Sequence, residues 1–360
     1  MPRHVVHVVG ARPNYMKTAP LMAALARHPD EFRQTLVHTG QHYDAALYDV
    51  LFRDLGLPVP DVDLGVGSGS HGVQTARVML AFDEFLDGAA ADLVVVPGDV
   101  NSTLAAALVA AKRGIRLAHV EAGLRSFDRT MPEELNRVLT DQLADLLFTP
   151  SRDADENLRR EGIDPARVHF VGNVMIDTLE RLRPQARRRL PELAAALRVG
   201  RPYVLVTLHR PPNVDDERAF AILAEALEEI AGDVDVVFPM HPRTRRRAGT
   251  LLDGGPVRVV EPLGYLDFLA LEEGAACVVT DSGGVQEETT YLGVPCVTVR
   301  ASTERPVTVT EGTNRLVAAA RAAVVEAVRD ALAAGASPRR PELWDGRAAE
   351  RIAEALRADT

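Results

Sequence analysis

The chain has 360 residues, a formal net charge of −10, 46% hydrophobic residues and 26% charged residues. That is enough chain for two domains with sizeable cores, and the balance is that of an ordinary soluble globular protein. The negative balance argues against a general nucleic-acid or anionic-membrane binder, and no apolar run reaches the ~18–20 residues of a membrane span.

The N-terminus, MPRHVVHVVGARP, has too short an apolar run for a signal peptide and reads as a first core strand at 4–9. Further strands are predicted at 35–38, 93–96, 117–120, 146–148 and 168–171, with helical patterns between them, such as 103–112 and 152–160. A charged, proline-punctuated segment at 181–202 follows. The alternation then restarts, with strands at 203–207, 234–238, 257–260, 277–280 and 296–299, and 344–358 reads as a last helix. Near-continuous apolar strands separated by helices predict an α/β protein with parallel sheets covered on both faces. Two such series predict two Rossmann-like domains, with ligand in the cleft beyond the carboxyl ends of the strands. The expected boundaries are 1–172, completed by a C-terminal helix at 345–360, and 173–344. The two cysteines, Cys277 and Cys296, lie in apolar runs without metal-ligand spacing, which fits a reducing cytoplasm.

Two patterns are discounted. Gly65-Val66-Gly67-Ser68-Gly69-Ser70 resembles a dinucleotide loop, but its third glycine is misplaced and no convincing strand precedes it; it reads as a mobile loop. Asp233-Val234-Asp235 resembles a metal-binding pair and reads better as polarity at a strand start. The arginine runs 187–189 and 245–247 read as solvated helix faces.

Chemistry gathers at strand ends. The first strand ends in Gly10-Ala11-Arg12-Pro13, and Arg12 and Lys17 bring positive charge to a helix N-terminus. Asp99 and Glu121 follow neighbouring strands, and Glu133 enters on a proline-led helix. Each acid alone could be a cap or first-turn carboxylate. Together they suggest acid/base work, because burial and mutual repulsion raise carboxyl pKa values. In the second half His209 and His241 follow strands, with Arg210 and Arg243 one and two positions on, and suit a pyrophosphate. The strand ending at Thr280 runs into Asp281-Ser282-Gly283-Gly284 and a helix, where free backbone N–H groups suit a phosphate. The bland alternative is a helix capped by Ser282. Glu287 and Glu288 follow, where a carboxylate could accept hydrogen bonds from ribose. Asp99, Glu121 and His209 show no paired metal-ligand spacing, so no metal is expected.

These motifs resemble the non-hydrolysing UDP-N-acetylglucosamine 2-epimerases. The resemblance rests on GARPNYMK, HVEAGLRSFDRTMPEELNR, GNVMIDTL, TLHRPPNV, EPLGYLDFLAL, TDSGGVQEE and TERPVTVTEGTNRLV, in order and with the right spacing. It implies two Rossmann-like domains of glycosyltransferase-B type, a homodimer, and interconversion of UDP-N-acetylglucosamine and UDP-N-acetylmannosamine by elimination and re-addition of UDP. It implies Asp99, Glu121 and Glu133 as acid/base residues. Arg12, Lys17, His209, His241 and Arg305 would serve the diphosphate and sugar. Ser282, Gly283 and Gly284 would take phosphate, Glu288 the ribose, and Leu263 and Phe268 the uracil. No cofactor is implied, because no redox step occurs. Gln41-His42 corresponds to a regulatory substrate motif of some bacterial members, although the following YDAAL departs from it. Ala11 and Asn14 replace the Thr and Glu of many members, and RPPNVDD after His209 also differs from the best-known bacterial form. A hydrolysing relative, a glycosyltransferase on the same scaffold and a non-catalytic nucleotide-sugar binder are the other readings.

Overall fold

The computed structural model describes residues 1–40, 55–200, 202–248, 251–336 and 339–359; Gln41 and His42 lie outside them. The chain forms two compact units, Met1–Thr178 with Glu342–Thr360, and Leu179–Pro341.

The first unit is built on a seven-stranded parallel sheet in the order β3-β2-β1-β4-β5-β6-β7. Its strands are β1 (Arg3–Val9), β2 (Phe32–His38), β3 (Val62–Asp63), β4 (Leu93–Pro97), β5 (Arg116–Val120), β6 (Leu146–Thr149) and β7 (Val168–Phe170). The central strands carry apolar residues on both faces, as a sheet covered by helices requires. One face packs on the helices Arg12–Leu25 and Ala348–Ala358 through Leu21, Leu25, Ile352 and Leu356. The other packs on His71–Gly88 and Asn101–Lys112 through Phe82, Leu86, Ala106 and Val109. Asp177 accepts hydrogen bonds from the Ala348 and Ala349 amides, at 3.1 and 2.7 Å, at the N-terminus of the last helix.

The second unit has a six-stranded parallel sheet, β10-β9-β8-β11-β12-β13. Its strands are β8 (Tyr203–Thr207), β9 (Asp235–Pro239), β10 (Arg258–Val260), β11 (Cys277–Thr280), β12 (Cys296–Val299) and β13 (Asn314–Val317). The short strands β3 and β13 carry too little apolar alternation to be read from sequence. Among the described residues no helix is long and apolar enough to cross a membrane.

The glycine-rich stretch after β3 is pinned, not free. Val66 and Gly67 donate to the Thr39 and Gly40 carbonyls, both at 3.0 Å, and Gly40 packs so close to Gly65 that a Cβ there would meet its Cα at 2.8 Å. The segment after 180 is largely the helix Val174–Ala196, which contains Pro184 and Pro191. Its Leu190 and Leu193 pack on the second core, and that burial offsets the prolines' lost hydrogen bonds. Asp235 opens β9 and accepts from the Gly200 amide, while Asp233 pairs with Arg329, both ordinary structural uses.

Candidate active site

In the first unit the predicted residues sit at the carboxyl ends of neighbouring strands. β4 and β5 are paired, and Gly98-Asp99 and Glu121 follow them directly. Glu121 adopts φ 71°, a region that residues with a Cβ seldom enter and that marks strain at functional sites. Its amide and that of Ala122 both donate to the Phe148 carbonyl, at 3.1 and 3.0 Å, which fixes the turn.

Lys17, in the second turn of its helix, forms a buried ion pair with Glu121. Asn14 ties the same helix to β4. Its Oδ1 accepts from the Gly10 and Ala11 amides and its Nδ2 donates to the Pro97 carbonyl. Gly98 must be small here: a Cβ would lie 2.8 Å from Lys17 Nζ and 3.3 Å from Glu121 Oε2. Arg12 opens that helix.

Asp99 does not cap the following helix, whose N-cap is Val100 without a side-chain bond. It pairs instead with Arg137 at 2.5 Å, and Arg137 also holds Glu134 at 2.6 Å. Glu134 accepts from the Ser126 and Phe127 amides at 2.9 Å, which shapes the loop before Glu133. Glu133 lies in the first turn of the helix Pro132–Leu143, half-buried and, among the described residues, without a side-chain partner. Asp99 and Glu121 thus each meet a cation, Arg137 and Lys17.

In the second unit Asp281, at the end of β11, is fully buried and organises the neighbouring β8 loop. It accepts from the amides of His209 at 3.1 Å and Arg210 at 3.0 Å, from Asn213 Nδ2 at 3.0 Å, and faces His209 Nδ1 at 3.0 Å. Burial pushes the Asp281 carboxyl up, but these donors and the His209 ring outweigh it and hold it below the usual range. The His209 ring is thereby oriented by a carboxylate while half of it stays open to solvent.

Ser282, Gly283 and Gly284 open the helix Gly283–Leu292 half-buried, and Ser282 makes no side-chain cap. Gly283 has a second reason to be glycine, since a Cβ would lie 2.6 Å from Arg305 Nη1. Arg305 is committed to ion pairs with Glu287 at 2.9 Å and Glu304 at 2.6 Å. Burial pushes the Glu304 carboxyl up, yet Arg305, Arg300 and Arg210 drive it far below its ordinary value. Glu288 is buried and accepts from Tyr265 Oη at 2.8 Å. Leu263 and Phe268 pack, half-buried, on the core beside β8. His241 is exposed ahead of the helix Pro242–Ala248. Among the described residues no group of three or more His, Cys, Asp or Glu could hold a metal ion.

A family model described as UDP-N-acetylglucosamine 2-epimerase matches residues 23–357. The chain belongs to this epimerase family. It is 40% identical over 359 residues to UDP-N-acetylglucosamine 2-epimerase of Methanocaldococcus jannaschii, covering 97% of each chain. It is 41% identical over 358 residues to UDP-2,3-diacetamido-2,3-dideoxy-D-glucuronate 2-epimerase of Pseudomonas aeruginosa, covering 98% of this chain and 99% of that one. Among solved structures it resembles the Methanocaldococcus jannaschii enzyme in complex with UDP-GlcNAc and UDP, with TM-score 0.90, 39% identity and 99% of both chains covered. The fold is α/β of glycosyltransferase-B type.

Sequence reasoning gave no role to Asp281, Arg137, Asn14 and Tyr265, which bond to predicted residues or to the backbone beside them. All four stand inside the quoted family motifs, so the signal was their place beside a predicted site residue.

Proposed function

We propose that the protein reversibly epimerises a UDP-N-acetylhexosamine at C2, interconverting UDP-N-acetylglucosamine and UDP-N-acetylmannosamine. The observation that carries this is the set Asp99, Glu121 and Glu133, two at the ends of adjacent strands and one on the next helix start, within a chain that matches the family along nearly its whole length. The C2 proton is not next to a carbonyl. Its removal therefore needs a good leaving group at C1, and UDP is one. One carboxylate takes the proton as the C1–O bond breaks, giving a 2-acetamidoglucal and UDP. A second acid returns a proton to the opposite face of C2 while UDP adds back to C1. The N-terminus of the helix Gly283–Leu292 and the oriented His209 serve the charge that grows on the diphosphate. We also infer a cytoplasmic homodimer, in keeping with the family and with two free, buried thiols.

A second sugar deserves a place in the test, because the Pseudomonas aeruginosa relative that acts on a diacetamido-glucuronate is as similar as the N-acetylglucosamine enzymes. Incubation with each UDP sugar in heavy water, followed by proton NMR, separates the outcomes. The expected product is the C2 epimer, still attached to UDP and carrying deuterium at C2. Free N-acetylmannosamine with UDP indicates a hydrolysing enzyme. An epimer without deuterium at C2 overturns the elimination mechanism.

A further inference from the structure

His119 lies in β5, two residues before Glu121, and its ring is fully buried. Nε2 is 2.7 Å from the Gly98 carbonyl oxygen, and Nδ1 is 2.6 Å from a carboxylate oxygen of Asp141. The ring thus bridges a backbone carbonyl on one side and a carboxylate on the other. Asp141 stands on the helix Pro132–Leu143, fully buried. Its other oxygen accepts from the Gly123 amide at 3.1 Å and faces Arg125 at 2.7 Å. Arg125 continues to Glu161 at 2.6 Å. Burial pushes the Asp141 carboxyl up, but His119 and Arg125 outweigh it and hold it below the usual range. Buried ionic networks add little net stability compared with apolar packing of the same volume. What this one supplies is geometry: it grips the peptide before Asp99 and the turn after Glu121 at once.

We propose that His119, Asp141 and Arg125 are positioning residues, a clamp that fixes the Gly98-Asp99 loop against the Glu121-Gly123 turn so that the two carboxylates keep the spacing proton transfer requires. The inference rests on the epimerase reading of Asp99 and Glu121. None of the three clamp residues touches the substrate in this account; they act through the two loops.

The test compares His119→Asn with His119→Gln. An asparagine amide reaches the Nδ1 position and keeps Asp141 but cannot reach the Gly98 carbonyl. A glutamine amide reaches the Nε2 position and can still donate to it. Turnover of UDP-N-acetylglucosamine, affinity for UDP by calorimetry, and amide exchange of the 97–103 segment by mass spectrometry are measured on both variants and the wild type. His119→Asn is expected to lose roughly 10- to 10²-fold in kcat, as for a small misplacement of reacting groups, with UDP affinity within about twofold of wild type. Its exchange should rise in that segment, whereas His119→Gln should keep wild-type exchange and most of the rate. Equal losses in the two variants, or unchanged exchange in His119→Asn, overturn the clamp. If His119→Asn does not fold, His119→Thr, whose side chain is likewise too short for the Gly98 carbonyl, takes its place and should show the same raised exchange. A wild-type protein that leaves the sugar unchanged overturns the epimerase reading instead, and the exchange comparison still decides the clamp.

Discussion

Lys17 and Glu121 meet as a buried ion pair, with side chains 6% and 4% exposed. The lysine that the sequence offered as a diphosphate ligand is thus engaged with a candidate acid, within its own unit. Such a pair is costly to break from one side, because the remaining charge is stranded in a dry site. Lys17→Met is expected to cost about 3–5 kcal/mol of folding stability and to abolish turnover. Adding Glu121→Gln should restore most of the stability and none of the activity. Denaturant unfolding of the two variants checks this, and a double variant no more stable than the single one would show that the pair is not coupled.

Gly98 supplies the second prediction. Its φ of 66° and the 2.8 Å approach of Lys17 Nζ leave no room for a methyl group. Gly98→Ala is expected to destabilise by roughly 1–3 kcal/mol and to displace the ammonium from Glu121. A Gly98→Ala enzyme with wild-type turnover and melting temperature would contradict this geometry.

Much of this was legible beforehand for a physical reason. Apolar strands such as 93–96 and 277–280 are buried on both faces, so their composition announces them, and each strand's end then marks where chemistry can sit. What pairs with what was not legible. That Arg137 turns back to Asp99, or that Asp281 gathers His209 and Asn213, depends on contacts between residues up to 72 positions apart. The left-handed backbone of Glu121 was hidden for a different reason, since glutamate has no preference for it and only the surrounding hydrogen bonds hold it there. The helix through Pro184 and Pro191 was obscured because propensity opposes it and tertiary burial overrides propensity.

A third prediction concerns acid stability. His7 is buried in β1 and bonded to Gln34, and burial outweighs that bond to lower its pKa from 6.5 to about 4. Above pH 6.5 the ring is neutral in both folded and unfolded chains and contributes no pH dependence. Below that the unfolded chain takes up a proton that the folded one refuses, so stability falls as the pH drops from 6.5 to about 4 and then levels. The loss from this one group is on the order of 3 kcal/mol. Unfolding free energies of the wild type and His7→Gln at pH 7 and pH 4.5 isolate it. The variant should show the smaller drop, and equal drops would mean that His7 is not the group responsible.

The last prediction concerns the acids themselves. Epimerisation takes a proton from one face of C2 and returns one to the other, which one carboxyl cannot easily do, so at least two are needed in opposite protonation states. The three candidates stand in different settings. Asp99 faces Arg137, Glu121 faces Lys17, and Glu133 is half-buried at a helix start. Such inequality can separate their roles, as unequal environments do for paired carboxyls in other acid/base enzymes. Asp99→Asn, Glu121→Gln and Glu133→Gln should each fold and bind UDP, and each should lose roughly 10²-fold or more in turnover. The wild-type rate should follow a bell-shaped pH profile whose limbs belong to the coupled set rather than to one residue. Glu133→Gln is the sharpest of the three, because its carboxylate has no ion-pair partner among the described residues to lose. A rate deficit there cannot be assigned to a broken ion pair. Near-normal turnover in Glu133→Gln would reduce Glu133 to a first-turn acid that favours the helix dipole, leaving Asp99 and Glu121 as the two acids on which the chemistry turns.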